Sequence, residues 1–247
     1  MTNLLRIDAS AQSEDRSLTR QLTSLFTQTF LEVAPDTTLV SRDVGHSPPP
    51  FVDGRFIHAA FTAPDQREDW MADVLAPSDR LVDEVVAADI IVMGVPMYNY
   101  GMPAALKAWI DQVARIGRTF SFDLERGDFP IEPMLSGKRL AVLSSRGEFG
   151  FAPGGIRAHK NVLDPAIAAC AHYLGVDETA IESIAIEYQE FKDDRHRASI
   201  DQARARTAAL ARRLAAEAST GSKSEPNFIG HRTKPKIVSL NSDRLKL

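Results

Sequence analysis

The chain has 247 residues, 44% of them hydrophobic and 25% charged, with a formal net charge of −4. That length suits one large domain, or one domain with a tail, and the charge gives no reason to expect nucleic acid or an anionic membrane as the main partner. The single cysteine, Cys170, excludes an intramolecular disulfide or a multi-thiolate metal site within one chain.

The start, Met1 to Ser10, has no signal-peptide core, and no later apolar run approaches about 20 residues. A cytoplasmic protein that does not enter a membrane is expected. Leu4 to Asp8 reads as a short strand, and Ser17 as the cap of a helix carrying Leu18, Leu22, Leu25, Phe26 and Val33. Thr38 to Arg42 reads as a second strand. Gly45 to Pro77 holds five prolines around a possible helix at Trp70, Met71 and Val74, too much for a plain connection, and is taken as an excursion over the pocket edge. Asp79 to Ala88 is a helix leading into "DIIVMGV", an apolar run of the kind found in a sheet covered on both faces.

A helix marked by Leu106, Trp109, Ile110 and Val113 follows, stopping at Gly117. "RTFSFDLERGDFPIEPMLSG" then suggests a projecting hairpin. "KRLAVLSS" is the fourth strand, Pro165 to Leu174 a helix ended by Gly175, Ser183 to Glu187 the fifth strand, and Ile200, Ala203, Thr207, Leu210 and Leu214 mark the last helix. Cys170 sits within helical spacing as a small buried thiol rather than a nucleophile. The alternation predicts an α/β fold, an open five-stranded parallel sheet with helices on both faces, over residues 1–217. Residues 218–247 turn polar and basic, with six lysines and arginines against two carboxylates, and read as a solvated tail rather than a nucleic-acid arm.

In such a sheet, ligands bind beyond the carboxyl ends of the strands where strand order reverses. Three loops qualify. After Asp8, Ser10, Ser17 and Thr19 bring hydroxyls to a helix start with free N–H groups, features that suit a phosphate, although Ser17 serves equally as a helix cap. No G-x-G-x-x-G and no P-loop lysine is present, so a terminal monophosphate fits better than a dinucleotide or a triphosphate.

After Val95, "PMYNYG" offers Met97 and the Tyr98 and Tyr100 faces to a planar ring, with the Asn99 amide for its polar edge. The alternative is aromatics filling a gap between layers. After Ser144, "SSRGEFGFAPGG" has glycines that allow close backbone approach, beside Ser145, Arg146 and Glu148, and a mobile surface loop is the alternative there. A phosphate attached to a flat heteroaromatic suggests flavin mononucleotide. None of the six histidines pairs at metal-ligand spacing, and no metal site is expected.

The combination "PMYNY…PAALKAWIDQVARIGRTFSF" with a later "SSRG" resembles the FMN-dependent azoreductases, flavodoxin-like NAD(P)H:quinone oxidoreductases, over about residues 3 to 216. The resemblance implies a flavodoxin-like fold and a homodimer with FMN near the subunit interface. It also implies that NADH or NADPH and then a quinone or azo acceptor occupy the same flavin face in a two-electron ping-pong sequence. FMN would carry the chemistry, with no catalytic side chain required.

By position, Ser10, Ser17, Leu18 and Thr19 would hold the phosphate. Pro96, Met97, Tyr98, Asn99 and Tyr100 would line the ring, and Ser145, Arg146, Gly147 and Glu148 its far edge. Glu148 departs from a glycine common in that family. A carboxylate there would lower the flavin potential unless protonated or paired with Arg146. Two other classes stay open: a flavodoxin-type electron carrier with no nicotinamide site, and a cofactor-free interaction module on the same fold.

Overall fold

The computed structural model describes residues 1–220. Five parallel strands form the sheet: β1 (Asn3–Asp8), β2 (Thr38–Asp43), β3 (Ile90–Pro96), β6 (Lys138–Ser145) and β7 (Val176–Ile186), in the order β2-β1-β3-β6-β7. The strand order reverses between β1 and β3, so the crevice above the carboxyl ends of these strands is the natural ligand position. β3 is buried at every residue, as expected of a central strand covered on both faces. The fold expected from sequence is therefore the fold observed.

Two helical layers cover the sheet. On one face α1 (Leu18–Val33) and α6 (Asp194–Thr220) pack Leu22, Phe26 and Phe30 against Leu210, Ala211 and Leu214. On the other, α3 (Asp69–Ala87), α4 (Ala104–Val113) and α5 (Leu163–Cys170) bury Val82, Val85, Leu106, Trp109 and Ile167 against β1, β3 and β6. Both helical layers arise because apolar residues recur at helical spacing while the strands between them are apolar throughout.

The two irregular regions resolve into structure. Residues 45–77 hold α2 (Gly54–Phe61), capped by Asp53, whose side chain accepts from the Phe56 N–H. α2 packs Phe56, Ala59 and Ala60 on Met71 and Leu75 of α3. The segment expected to project as a hairpin does form one, in which β4 (Phe120–Phe122) pairs antiparallel with β5 (Ile131–Pro133).

Some boundaries differ from expectation. The helix sought at Trp70 and the one sought from Asp79 are a single 19-residue α3, running through Pro77. An internal proline costs roughly 3 kcal/mol, and Met71, Leu75, Ser78, Leu81 and Val85 keep one buried face on both sides of it, so tertiary packing prevails. The fifth strand begins at Val176, not Ser183: its exposed Asp177, Glu178 and Thr179 hid it, and a register irregularity lies opposite Lys138 and Leu140. α6 starts at Asp194 and runs to Thr220, beyond the boundary expected at 217. The expected tail, from residue 221 on, lies outside the described residues.

Candidate functional site

The turn after β1 delivers its polar groups to the start of α1. Ser17 is the N-cap, its Oγ accepting from the Arg20 N–H at 3.3 Å and lying 3.1 Å from Thr19 Oγ1. The N–H groups of Leu18 and Thr19 have no acceptor among the described residues, so two donors at the positive end of the helix dipole remain available to an anion. Ser10, Ser17 and Thr19 are all buried. Capping and anion binding are therefore compatible here, since the cap uses Ser17 Oγ on Arg20 and leaves the first two amides free.

A charged network that sequence reasoning missed holds this turn. Arg20, 6% exposed, grips Asp43 through Nη1 at 2.8 Å and Nη2 at 2.7 Å, and Nη2 donates to the Ser10 carbonyl at 2.6 Å. Burial alone would push the Asp43 carboxyl up, but the Arg20 hydrogen bonds and the His46 N–H outweigh it and hold the group at about 2. Gly45 passes directly under the Ser10 carbonyl: a Cβ on it would lie 2.0 Å from that oxygen, so only glycine lets the strand β2 exit pass there. The signal available in sequence was Arg20 directly after the Ser17-Leu18-Thr19 turn, which gave no indication of its partner.

The second segment is the corner after β3. Tyr98 and Gly101 exchange both backbone hydrogen bonds at 3.0 Å, while Asn99 and Tyr100 have φ of 48° and 69°. This is the two-residue turn that demands positive φ at both central positions; Asn accepts it, but Tyr pays roughly 1–2 kcal/mol. Tyr98, Asn99 and Tyr100 are nevertheless exposed, and strain of this kind persists where the surroundings impose it, often at ligand sites.

The two segments meet. The Tyr98 hydroxyl accepts from the Ala11 N–H at 3.4 Å, and the Met97 N–H donates to the Ser145 carbonyl at 2.9 Å. Ser17 and Asn99 thus belong to loops on one side of the molecule, at the strand-order reversal.

The third loop is held from behind. The carbonyls of Arg146, Gly147 and Glu148 accept from the N–H groups of Gln189, Glu190 and Tyr188 at 3.2, 3.0 and 3.1 Å. The N–H groups of Gly147, Glu148 and Phe149 have no acceptor among the described residues, which leaves a row of donors for a carbonyl-bearing ring edge. Gly147 permits this support, because a Cβ on it would meet Glu190 Cγ at 2.9 Å.

Two side chains fall otherwise than expected. Arg146 is 3% exposed and turned inward, its Nη2 on both Asp164 oxygens at 2.9 and 2.7 Å, so it braces the loop rather than facing a ligand. Glu148 is paired not with Arg146 but with Arg157, whose Nε donates at 2.7 Å, and it also accepts from the Tyr100 hydroxyl at 3.2 Å. Arg157 was not singled out in the sequence. Cys170 is partly buried, and burial raises its thiol pKa, in keeping with an unreactive role.

These residues fit FMN: paired amides and hydroxyls for a phosphate, a strained aromatic corner for a ring, and free amides for its polar edge. Comparison with known proteins agrees. The family model described as flavodoxin-like fold matches residues 2–211. The chain is 46% identical over 220 residues to FMN-dependent NADH:quinone oxidoreductase 2 of Idiomarina loihiensis, covering 87% of this chain and 91% of that one. It is 39% identical to FMN-dependent NAD(P)H:quinone oxidoreductase 1 of Pseudomonas aeruginosa, over 86% of this chain and 99% of that protein. Among solved structures, an azoreductase from Bacillus anthracis superposes with a TM-score of 0.76 at 24% identity, covering 86% of this chain and all of its own; at that identity it speaks for the fold alone. The chain belongs to the family of flavodoxin-like FMN-dependent NAD(P)H:quinone oxidoreductases.

Proposed function

We propose that this protein is an FMN-dependent oxidoreductase that takes two electrons from NADH or NADPH and delivers them to quinones and azo compounds. It does so as a cytoplasmic homodimer, with donor and acceptor using one face in turn in a ping-pong sequence. When bound, FMN supplies the redox chemistry, taking a hydride from the nicotinamide and giving up an electron pair to the acceptor.

The observation that carries this reading is convergence. Ala11 N–H on the Tyr98 hydroxyl and Met97 N–H on the Ser145 carbonyl bring three separated loops together at the carboxyl end of the sheet. There the Leu18 and Thr19 amides, with Ser10, Ser17 and Thr19 hydroxyls, would grip the phosphate. Pro96, Met97, Tyr98, Asn99 and Tyr100 would support the ring, and the amides of Gly147 and Glu148 would address its carbonyl edge, with Ser145 and Arg146 bracing that loop. Arg157 offsets the charge of Glu148 beside this edge, which tempers any lowering of the flavin potential by that carboxylate.

Support for the homodimer comes from an apolar groove of about 410 Å³ lined by Phe56, Ile57, Phe61, Ile116, Phe120 and Tyr173, with Ile57 and Phe61 about half exposed. A second copy would cover it. The single cysteine and the lack, among the described residues, of a helix long and apolar enough to cross a membrane accord with a cytoplasmic setting.

The test is the absorption spectrum of the purified protein, followed by anaerobic addition of NADH. A flavin spectrum that bleaches rapidly is expected. A yellow protein that NADH does not bleach would indicate a flavodoxin-type electron carrier, and a colourless protein that cannot be reconstituted with FMN would indicate an interaction module.

A further inference from the structure

The rim of the crevice beside Tyr100 carries an uncompensated positive charge. Lys160, exposed at the end of the short 3-10 turn Ala158–Lys160, places its Nζ 5.2 Å from the centre of the Tyr100 ring and has no carboxylate partner among the described residues. A second cation lies on the same segment. Arg157 uses Nε on Glu148 at 2.7 Å and Nη1 on the Phe149 carbonyl at 3.2 Å, and its Nη2 has no acceptor among the described residues.

The segment is fixed to the corner, because the Val162 N–H donates to the Tyr100 carbonyl at 3.0 Å. The other carboxylates nearby are engaged elsewhere: Asp164 by Arg146 and Asn161, and Glu187 by the amides of Gly150 and Phe151. Two cations and one carboxylate therefore stand at the rim, in a chain whose overall charge is −4.

A lysine over an aromatic face gains little at an exposed site, and its charge is not neutralised by that contact. Its three donors remain free for an oxyanion, and a local positive patch at the mouth of a cleft raises the concentration of anionic substrates.

We propose that Lys160, together with Arg157 Nη2, forms a subsite for an oxyanion group on a substrate approaching the flavin. Two sources share that chemistry: the pyrophosphate of the nicotinamide donor and a sulfonate on the acceptor. The proposal rests on the flavin reading above. It adds to that reading a residue that selects charged over neutral substrates at a distance from the reacting ring.

The experiment compares wild-type, Lys160→Gln and Lys160→Arg holoenzymes. Donor selectivity is the ratio of kcat/KM for NADH to that for the uncharged N-benzyl-1,4-dihydronicotinamide. Acceptor selectivity is the same ratio for 1,2-naphthoquinone-4-sulfonate against 1,2-naphthoquinone. Lys160→Gln is expected to lower one of these ratios about tenfold, the worth of one charge-assisted hydrogen bond, and Lys160→Arg to restore most of it. A fall in the donor ratio assigns the subsite to pyrophosphate, and a fall in the acceptor ratio assigns it to the sulfonate.

Raising ionic strength should lower the affected wild-type ratio more steeply than that of Lys160→Gln, which keeps only the Arg157 cation. Both ratios unchanged in an enzyme that is yellow and reduced by its donors would overturn the subsite while leaving the flavin reading intact. Failure of the wild-type protein to take up FMN or to be reduced by either donor would overturn both.

Discussion

The turn that would hold the phosphate and the corner that would hold the ring are built on opposite principles. Ser10, Ser17 and Thr19 are buried, the Ser10 carbonyl is held by Arg20, itself fixed on Asp43, and the cap of α1 is satisfied internally. Tyr98, Asn99 and Tyr100 are exposed, and two of them are held at positive φ. The contrast suits the two parts of the proposed ligand. An anion is bound by fixed donors that must not relax, so rigidity pays. A ring that exchanges partners on one face needs an accessible surface, so exposed side chains on a strained but well-tied turn suffice.

The largest effect is expected from breaking the half-buried pair of Arg20 and Asp43. Arg20→Ala leaves Asp43 without its guanidinium and the Ser10 carbonyl without its donor. A loss of about 1–2 kcal/mol in unfolding free energy is expected by urea titration, since solvent screens the half-exposed Asp43, together with at least tenfold weaker FMN binding. Unchanged stability would show that the phosphate turn does not depend on the network. Asn99→Ala acts on the exposed side of the comparison: it should weaken FMN by about 1–3 kcal/mol, one lost hydrogen-bond partner, and lower apoprotein stability by no more than about 1 kcal/mol, because alanine tolerates the positive φ of this position less well than asparagine. An unchanged dissociation constant would remove Asn99 from the site.

Tyr100→Gly separates strain from function. Glycine relieves the positive φ, so apoprotein stability should hold or rise by up to about 1 kcal/mol, while FMN binding weakens because the ring face is gone. A clear loss of stability would mean that the tyrosine is structural. The smallest effect concerns pH. Asp43 titrates at about 2 against an ordinary value of 3.8, so its contribution to stability is complete above about pH 4 and is lost as pH falls toward 2. The melting temperatures of wild type and Asp43→Asn should differ by a constant amount between pH 8 and pH 5 and converge below about pH 4. A difference that vanishes near neutrality would contradict the pairing.

The same contrast explains what was legible in the sequence. "DIIVMGV" announced a buried central strand because it is apolar throughout, and Ser17 announced a helix start because few residues cap as well. The corner was visible because two tyrosines and an asparagine are poor material for a plain connection. The Arg20–Asp43 contact was not visible, since it joins residues on different elements through a parallel pairing that sequence periodicity does not specify. Nor was the partner of Glu148: Arg146 was nearer in sequence, but it lies just past the end of β6, buried against Asp164, and the pairing falls to Arg157. Pro77 misled for a related reason, because the face that carries α3 through it is defined by what it packs on.

The central claim is that one ligand spans both regions, with its anionic end at the Ser17 turn and its ring at the Asn99 corner. Titration of the apoprotein with FMN and with riboflavin, which lacks only the phosphate, tests it most directly. FMN is expected to bind at least about 100-fold more tightly, the worth of two charge-assisted bonds from the Leu18 and Thr19 amides. Equal affinity for the two flavins would contradict the account, because the buried turn would then have no anion to hold.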